Sequence, residues 1–314
     1  MRFNTKARLD TRQVQNRRGS GGADGGMGFP VGGGGSGMKV GGGIGGMVVL
    51  VLVLVLMQYA GGGVDTGLPN GPAGESGPVS TNSRTLAHCR TGADANEDPD
   101  CARVAVVNSI QAYWAEALPR QANREYLHGD TVIFSDRVNT GCGGATSDVG
   151  PFYCPPDQQV YLDTTFFRDM LAGHLGGGGG DFAEAYVLAH EYGHHVQNLL
   201  GIMGKVRTQQ GPTSDAVRLE LQADCYAGMW TRHATEAADS QGEAFIENLT
   251  RRDIDEALDA ARAVGDDRIQ RRTSGRVDPD AWTHGSAEQR MRWFMTGREK
   301  GSLQACNTFG ARSL

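Results

Sequence analysis

Between residues 181 and 201 the sequence DFAEAYVLAHEYGHHVQNLLG repeats apolar side chains at three- and four-residue intervals. Phe182, Ala185, Tyr186, Ala189, Gly193, Val196 and Leu200 fall on one face, the pattern of a helix half buried in a core. Asp181 followed by Glu184 has the form of a capping box, the glycines at 176–180 cannot support regular structure, and Gly201 supplies the stop. The same period recurs in SDAVRLELQADCYAGMW (214–230), capped by Ser214 or Asp215, in CARVAVVNSIQAYWAEAL (101–118), and over 252–264. Ser286 and Gln289 fit a second capping box, for a helix that begins near Ala287. TVIFSD (131–136) and QVYLD (159–163) read as short strands, and TTFFRDMLAGH (164–174) starts a further helix. Between the strands, TGCGGATSDVGPFYCP (140–155) is a Gly/Pro-rich loop that either lines a cleft or is a stapled structural loop. These elements predict an α+β fold in which helices dominate.

Upstream the pattern breaks. Residues 1–39 are basic and glycine-rich, with too few apolar side chains to offset the entropy of ordering, and are expected to be a disordered tail. Residues 40–60, VGGGIGGMVVLVLVLVLMQYA, carry no charge and as a helix would reach about 31 Å, enough to cross a bilayer. A signal peptide is the competing reading. Its charged region would be unusually long and its cleavage site poor, which favours an uncleaved anchor. Residues 61–84 read as a flexible linker, which leaves 85–314 as one domain with a sizeable core. Arg2, Lys6, Arg8, Arg12, Arg17, Arg18 and Lys39 all precede the apolar stretch. The positive-inside rule then predicts a single-pass membrane protein, amino terminus cytoplasmic and domain extracytoplasmic. All six cysteines follow that stretch, as an oxidising compartment permits, and proximity favours Cys89 with Cys101 and Cys142 with Cys154, leaving Cys225 with Cys306. A net charge of −6 without a basic run beyond the amino terminus argues against nucleic-acid binding.

Two predicted helices carry more ionisable groups than packing explains. His190 and His194 lie one turn apart with Glu191 beside the first, the H-E-x-x-H arrangement in which two imidazoles converge on Zn2+ and the glutamate reaches the attacking water. His195, on a different face, is expected to be structural or exposed. On 214–230, Val217, Glu220, Ala223, Asp224 and Ala227 share a face on which two carboxylates among small residues are costly unless a cation or a donor meets them. Glu220 is therefore the expected third ligand, and Asp224 the acceptor that fixes the tautomer of a ligand imidazole. His284 is the candidate to stabilise the oxyanion, with a structural histidine as the plainer alternative. Asp266, Asp267 and Arg268 are expected to form an ion-pair cap, and His88, His128, His174 and His233 have no partnering context.

AYVLAHEYGHHVQNLLG, RLELQADCYAGMW, GDDRIQ and THGSAEQRMRWF, in this order, resemble the bacterial neutral zinc metallopeptidases of the YpfJ type, within the gluzincin group. The resemblance runs from about 85 to 310 and extends weakly to the amino-terminal tail and span. It implies a zincin-like core with His190, His194 and Glu220 as zinc ligands, Glu191 as general base, and a peptide or protein as substrate. Two other classes keep the same residues in view. A non-catalytic envelope protein would use zinc as a staple but would have no need of Glu191, and a zinc amidase acting on cell-wall material would differ only in its cleft.

Overall fold

The computed structural model describes residues 1–19, 86–167 and 179–314. Seven α-helices are described: α1 (Gly92–Ala95), α2 (Pro99–Ala122), α3 (Asp181–Leu199), α4 (Asp215–His233), α5 (Arg251–Ala263), α6 (Asp266–Thr273) and α7 (Ala287–Lys300). The predicted caps at Ser214 and at Ser286 with Gln289 are formed. At α3 the expected box is not. Gly180 is the N-cap and Glu184 is turned onto Arg103, while the first-turn amide of Phe182 donates to Glu256 of α5 at 3.2 Å. A partner from another helix has replaced the local one, which periodicity along a single segment does not reveal.

The strands are β1 (Arg2–Phe3), β2 (Val14–Asn16), β3 (Thr131–Phe134), β4 (Arg137–Thr140), β5 (Gly143–Thr146), β6 (Phe152–Cys154), β7 (Gln159–Asp163) and β8 (Ile246–Asn248). The main sheet runs β2-β3-β7-β6, with β2, β3 and β7 parallel and β6 antiparallel at one edge. Alternation along β3 explains its burial on both faces. Ile133 joins the large core built with the helices, while Val132 and Phe134 enter a smaller cluster under the β4–β5 hairpin with Val138, Phe152 and Tyr161. The loop at 140–155 is thus partly a hairpin, stapled by Cys142–Cys154. Cys89–Cys101 and Cys225–Cys306 complete the expected pairing, and no free cysteine remains.

The disordered tail is corrected for its first part. Residues 1–18 belong to the fold. β1 pairs with β8, β2 adds a parallel strand to β3, and Arg8 bridges Thr91. Phe3, Ala7 and Val14 are buried in the main core. Asn108 of α2 donates to the Asp10 carbonyl and to Gln13 Oε1, each at 3.0 Å, and buried Gln111 donates to the same Gln13 oxygen at 2.9 Å. Arg18 pairs with Asp100. Strands of two or three residues leave no periodic signal, and three buried apolar residues with a set of side-chain bonds order a segment that composition reads as disordered. The expected span at 40–60 lies outside the described residues, as do the whole 61–84 linker, His174 and most of the predicted helix at 164–174. Among the described residues no helix is long and apolar enough to cross a membrane. Residues 1–18 pack against the helices and strands of the rest of the domain.

Replacing Gln13 by Ala is predicted to destabilise the protein by roughly 1–3 kcal/mol, because the buried Gln111 amide loses its acceptor. Urea unfolding measures this, and an unchanged midpoint would mean that the tail contributes nothing to stability.

Candidate metal centre

Helices α3 and α4 pack with almost no space between them. A Cβ on Gly193 would lie 3.0 Å from the backbone of Ala223, so a larger residue at 193 would push the helices apart. This close approach sets Glu220, one turn before Asp224, opposite the two histidines one turn apart on α3. Glu220 Oε2 is 3.2 Å from His190 Nε2, and Glu220 Oε1 is 3.4 Å from His194 Nε2. All three side chains are buried, and one ligand atom from each lies within 4.8 Å of the others. The only other such grouping among the described residues, His88 with Cys89 and Cys101, has both sulfurs in a disulfide and no thiolate to offer.

The far nitrogen of each imidazole is fixed by an oxygen acceptor. His190 Nδ1 donates to Asp224 Oδ1 at 2.8 Å, as expected for Asp224, and His194 Nδ1 donates to Gln197 Oε1 at 2.8 Å. Gln197 is oriented in turn by its amide, which donates to the Leu219 carbonyl at 2.7 Å and to Gln222 at 3.1 Å. Both rings therefore turn Nε2 toward Glu220, and with Nδ1 held as a donor it is Nε2 that is left to bind a metal.

Several observations show that these residues fit a divalent cation. Glu220 Oε1 is buried and makes no hydrogen bond, despite its nearness to His194. The local charge is also incomplete. Glu191, Glu220 and Asp224 are three buried carboxylates, and Arg290 is the one buried guanidinium among them. A dication would balance the set, and buried carboxylates without such balance are strongly disfavoured. Two neutral imidazoles and a carboxylate are a donor set suited to zinc. Without a metal the protein places positive charge on the imidazole instead: burial opposes it, but Asp224 and Glu220 raise His190 to about 10. Zinc binding would displace that proton.

Glu191 is buried beside the ligands, with a carboxyl raised above its usual range by burial, an effect that the neighbouring His194 and His190 reduce but do not cancel. A carboxylate so placed takes up a proton more readily than one in water. His284 is largely buried, and its pKa is raised because the Glu220 and Asp266 carboxylates outweigh burial. Its Nδ1 contacts Thr283 Oγ1 at 2.8 Å. The segment that carries it is held by acids in a way that sequence reading missed. Asp266 Oδ2 accepts from the backbone amides of Thr283, His284 and Gly285 at 2.8, 2.7 and 3.0 Å, and Asp267 Oδ1 accepts from Ala287 at 2.7 Å. The expected ion-pair cap at 266–268 is thus replaced by a clamp on the loop before α7. Three successive amides provide more bonds to one carboxylate than a surface arginine offers.

His195 is structural, but buried rather than exposed. Its Nε2 donates to the Leu127 carbonyl at 2.6 Å and its Nδ1 accepts from Tyr153 at 3.0 Å, which ties α3 to β6. His88 and His233 pair with Asp98 and Glu236 near the surface. Gln197 and Arg290 were not singled out from sequence, Tyr186 was read only as part of an apolar face, and Asp266 only as part of an ion-pair cap. Only Gln197, three residues after His194 on the same helix, had a local signal.

A sequence profile of the putative neutral zinc metallopeptidase family matches residues 1–309. The chain belongs to that family. The uncharacterized protein YpfJ of Escherichia coli K12 is 39% identical over 315 residues, covering 97% of this chain and 98% of that protein. The uncharacterized protein Rv2575 of Mycobacterium tuberculosis H37Rv is 52% identical over 231 residues, covering 73% and 77% respectively. No solved structure matches this chain. The family match includes the amino-terminal segment that the fold incorporates.

Glu220→Ala is predicted to bring zinc well below one per chain and to lower the melting temperature, since metal binding and folding are coupled. Asp224→Asn should retain the ligands and weaken zinc affinity about 10- to 100-fold. Metal analysis after dialysis, with chelator competition for the second variant, checks both. Equal zinc content in Glu220→Ala and the parent chain would remove Glu220 from the ligand set.

Proposed function

We propose that this protein is a zinc-dependent peptidase that hydrolyses peptide bonds of a peptide or protein substrate, with Glu191 as general base. The observation that carries the reading is the buried triangle of His190, His194 and Glu220, in which Glu220 Oε1 lacks a hydrogen bond and Glu191 lies adjacent without a place among the ligands. A purely structural staple needs the triangle but has no use for a buried carboxylate beside it. His190, His194 and Glu220 would hold zinc, which when bound supplies Lewis acidity that polarises the scissile carbonyl and acidifies water. Glu191 then accepts the proton of the attacking water and passes it to the leaving amine. His284, held by Asp266 and Thr283, donates toward the oxygen of the carbonyl as negative charge develops there. The low exposure of His190, Glu191 and His194, at 6, 8 and 5%, keeps bulk water from screening these charges.

The place of action is part of the same proposal. Three disulfides favour an oxidising compartment, and the docked tail favours having residues 1–18 in that compartment with the domain. Membrane attachment through residues 40–60 remains compatible with this only if the tail and the domain stay on one face.

Glu191→Gln is predicted to keep close to one zinc per chain and an unchanged melting temperature while losing nearly all hydrolysis of a peptide that the parent chain cleaves. His284→Ala should reduce kcat with zinc content unaltered. Full activity in Glu191→Gln, or loss of its metal, would contradict the role assigned to this residue.

A further inference from the structure

Asp224 is fully buried, and its two oxygens receive four donors. Oδ1 accepts from Tyr186 Oη at 2.5 Å, His190 Nδ1 at 2.8 Å and Arg290 Nη2 at 3.0 Å, while Oδ2 accepts from Arg290 Nε at 2.9 Å. Arg290 thus grips the carboxylate with two prongs, and Nε is the one donor recorded on Oδ2. Its position on α7 goes against local preference. Ser286 is the N-cap, so Arg290 sits in the opening turn, where the helix dipole disfavours a cation. A local rule broken in the interior marks a residue placed for something beyond helix stability.

The backbone brings it there at close quarters. A Cβ on Gly228 would lie 2.0 Å from the Phe294 carbonyl oxygen and one on Gly297 would lie 1.8 Å from that of Cys225, so α4 and α7 touch backbone to backbone only because both positions are glycine. The start of α7 is fixed by the Ser286–Gln289 box and by Asp267 on the Ala287 amide. Nothing in this arrangement lets the guanidinium drift from Asp224.

We infer that Arg290 is a positioning residue for the metal centre, acting through Asp224 to fix the ring of His190. The inference rests on the zinc-site reading above. Two effects of removing Arg290 oppose each other. Loss of a cation near the site would favour a dication by simple attraction. Loss of the guanidinium would also leave Oδ2 without its donor and Oδ1 without one of its three, so the carboxylate is no longer held facing His190. A carboxylate that turns away takes with it both the nearby negative charge and the acceptor that orients His190. Weaker zinc binding is therefore the net outcome.

The test is a double-mutant cycle on zinc affinity in the full chain, read by competition with a chromogenic chelator and by the zinc-induced shift in melting temperature. Arg290→Met is expected to weaken zinc about 10- to 100-fold relative to the parent chain and to have little further effect in an Asp224→Asn background. The double variant removes both buried charges and should fold at least as well as Arg290→Met alone. If Arg290→Met does not fold, Arg290→Lys carries the test. It keeps the charge and loses the two-pronged contact, so positioning predicts weaker binding and a role of charge alone predicts none. Unchanged or tighter zinc binding in Arg290→Met, additive effects in the cycle, or equal loss of melting temperature with and without zinc would overturn the inference. A parent chain that binds no zinc at His190, His194 and Glu220 would instead overturn the zinc-site reading and this role with it.

Discussion

Glu220 and Asp224 stand one turn apart on α4, both buried, and both face imidazoles of α3. A carboxylate in such a place costs several kcal/mol unless its charge is matched and its oxygens are bonded. The surrounding structure meets that constraint for each acid in a different way. Asp224 is met by protein alone, through His190, Tyr186 and Arg290. Glu220 is left with an oxygen that nothing among the described residues bonds. That asymmetry distinguishes a site built to hold an ion from a closed salt-bridge network.

Other features of the fold serve this pair of acids. Gly193 allows α3 to approach α4, and Gly228 with Gly297 allows α7 to approach it from another side. The Cys225–Cys306 disulfide joins α4 to the chain after α7, beginning at the residue next to Asp224. On the sheet side, Tyr192 donates to the Gly129 carbonyl at 2.8 Å and His195 bonds Leu127 and Tyr153, so the metal helix is anchored on its outer face by polar contacts as well as by packing. Residues 1–18 complete the sheet at the opposite edge from β6.

How far the sequence could be read depended on the range of the interaction. His190, Glu191 and His194 were legible because one helix sets their spacing, and Glu220 and Asp224 because two acids among alanines on one face demand a cation. The long helices and the strands at 131 and 159 followed from their periods. What was missed requires two distant segments at once: the Asp266 clamp on the amides of 283–285, the Arg290 grip on Asp224, and the Glu256 contact at the start of α3. Each is a side chain whose partner lies far along the chain, and no local pattern encodes it. Residues 1–18 of the tail were misread for a related reason. Their order comes from contacts with α2, β3 and β8, while their composition resembles that of a disordered segment.

The central claim is that zinc is held by two imidazole nitrogens and one carboxylate, with no sulfur. X-ray absorption at the zinc edge of the purified protein tests it directly. The account predicts a shell of nitrogen and oxygen neighbours at about 2.0–2.2 Å. A sulfur neighbour at about 2.3 Å, or no zinc in correctly disulfide-bonded protein supplied with the metal, would contradict it.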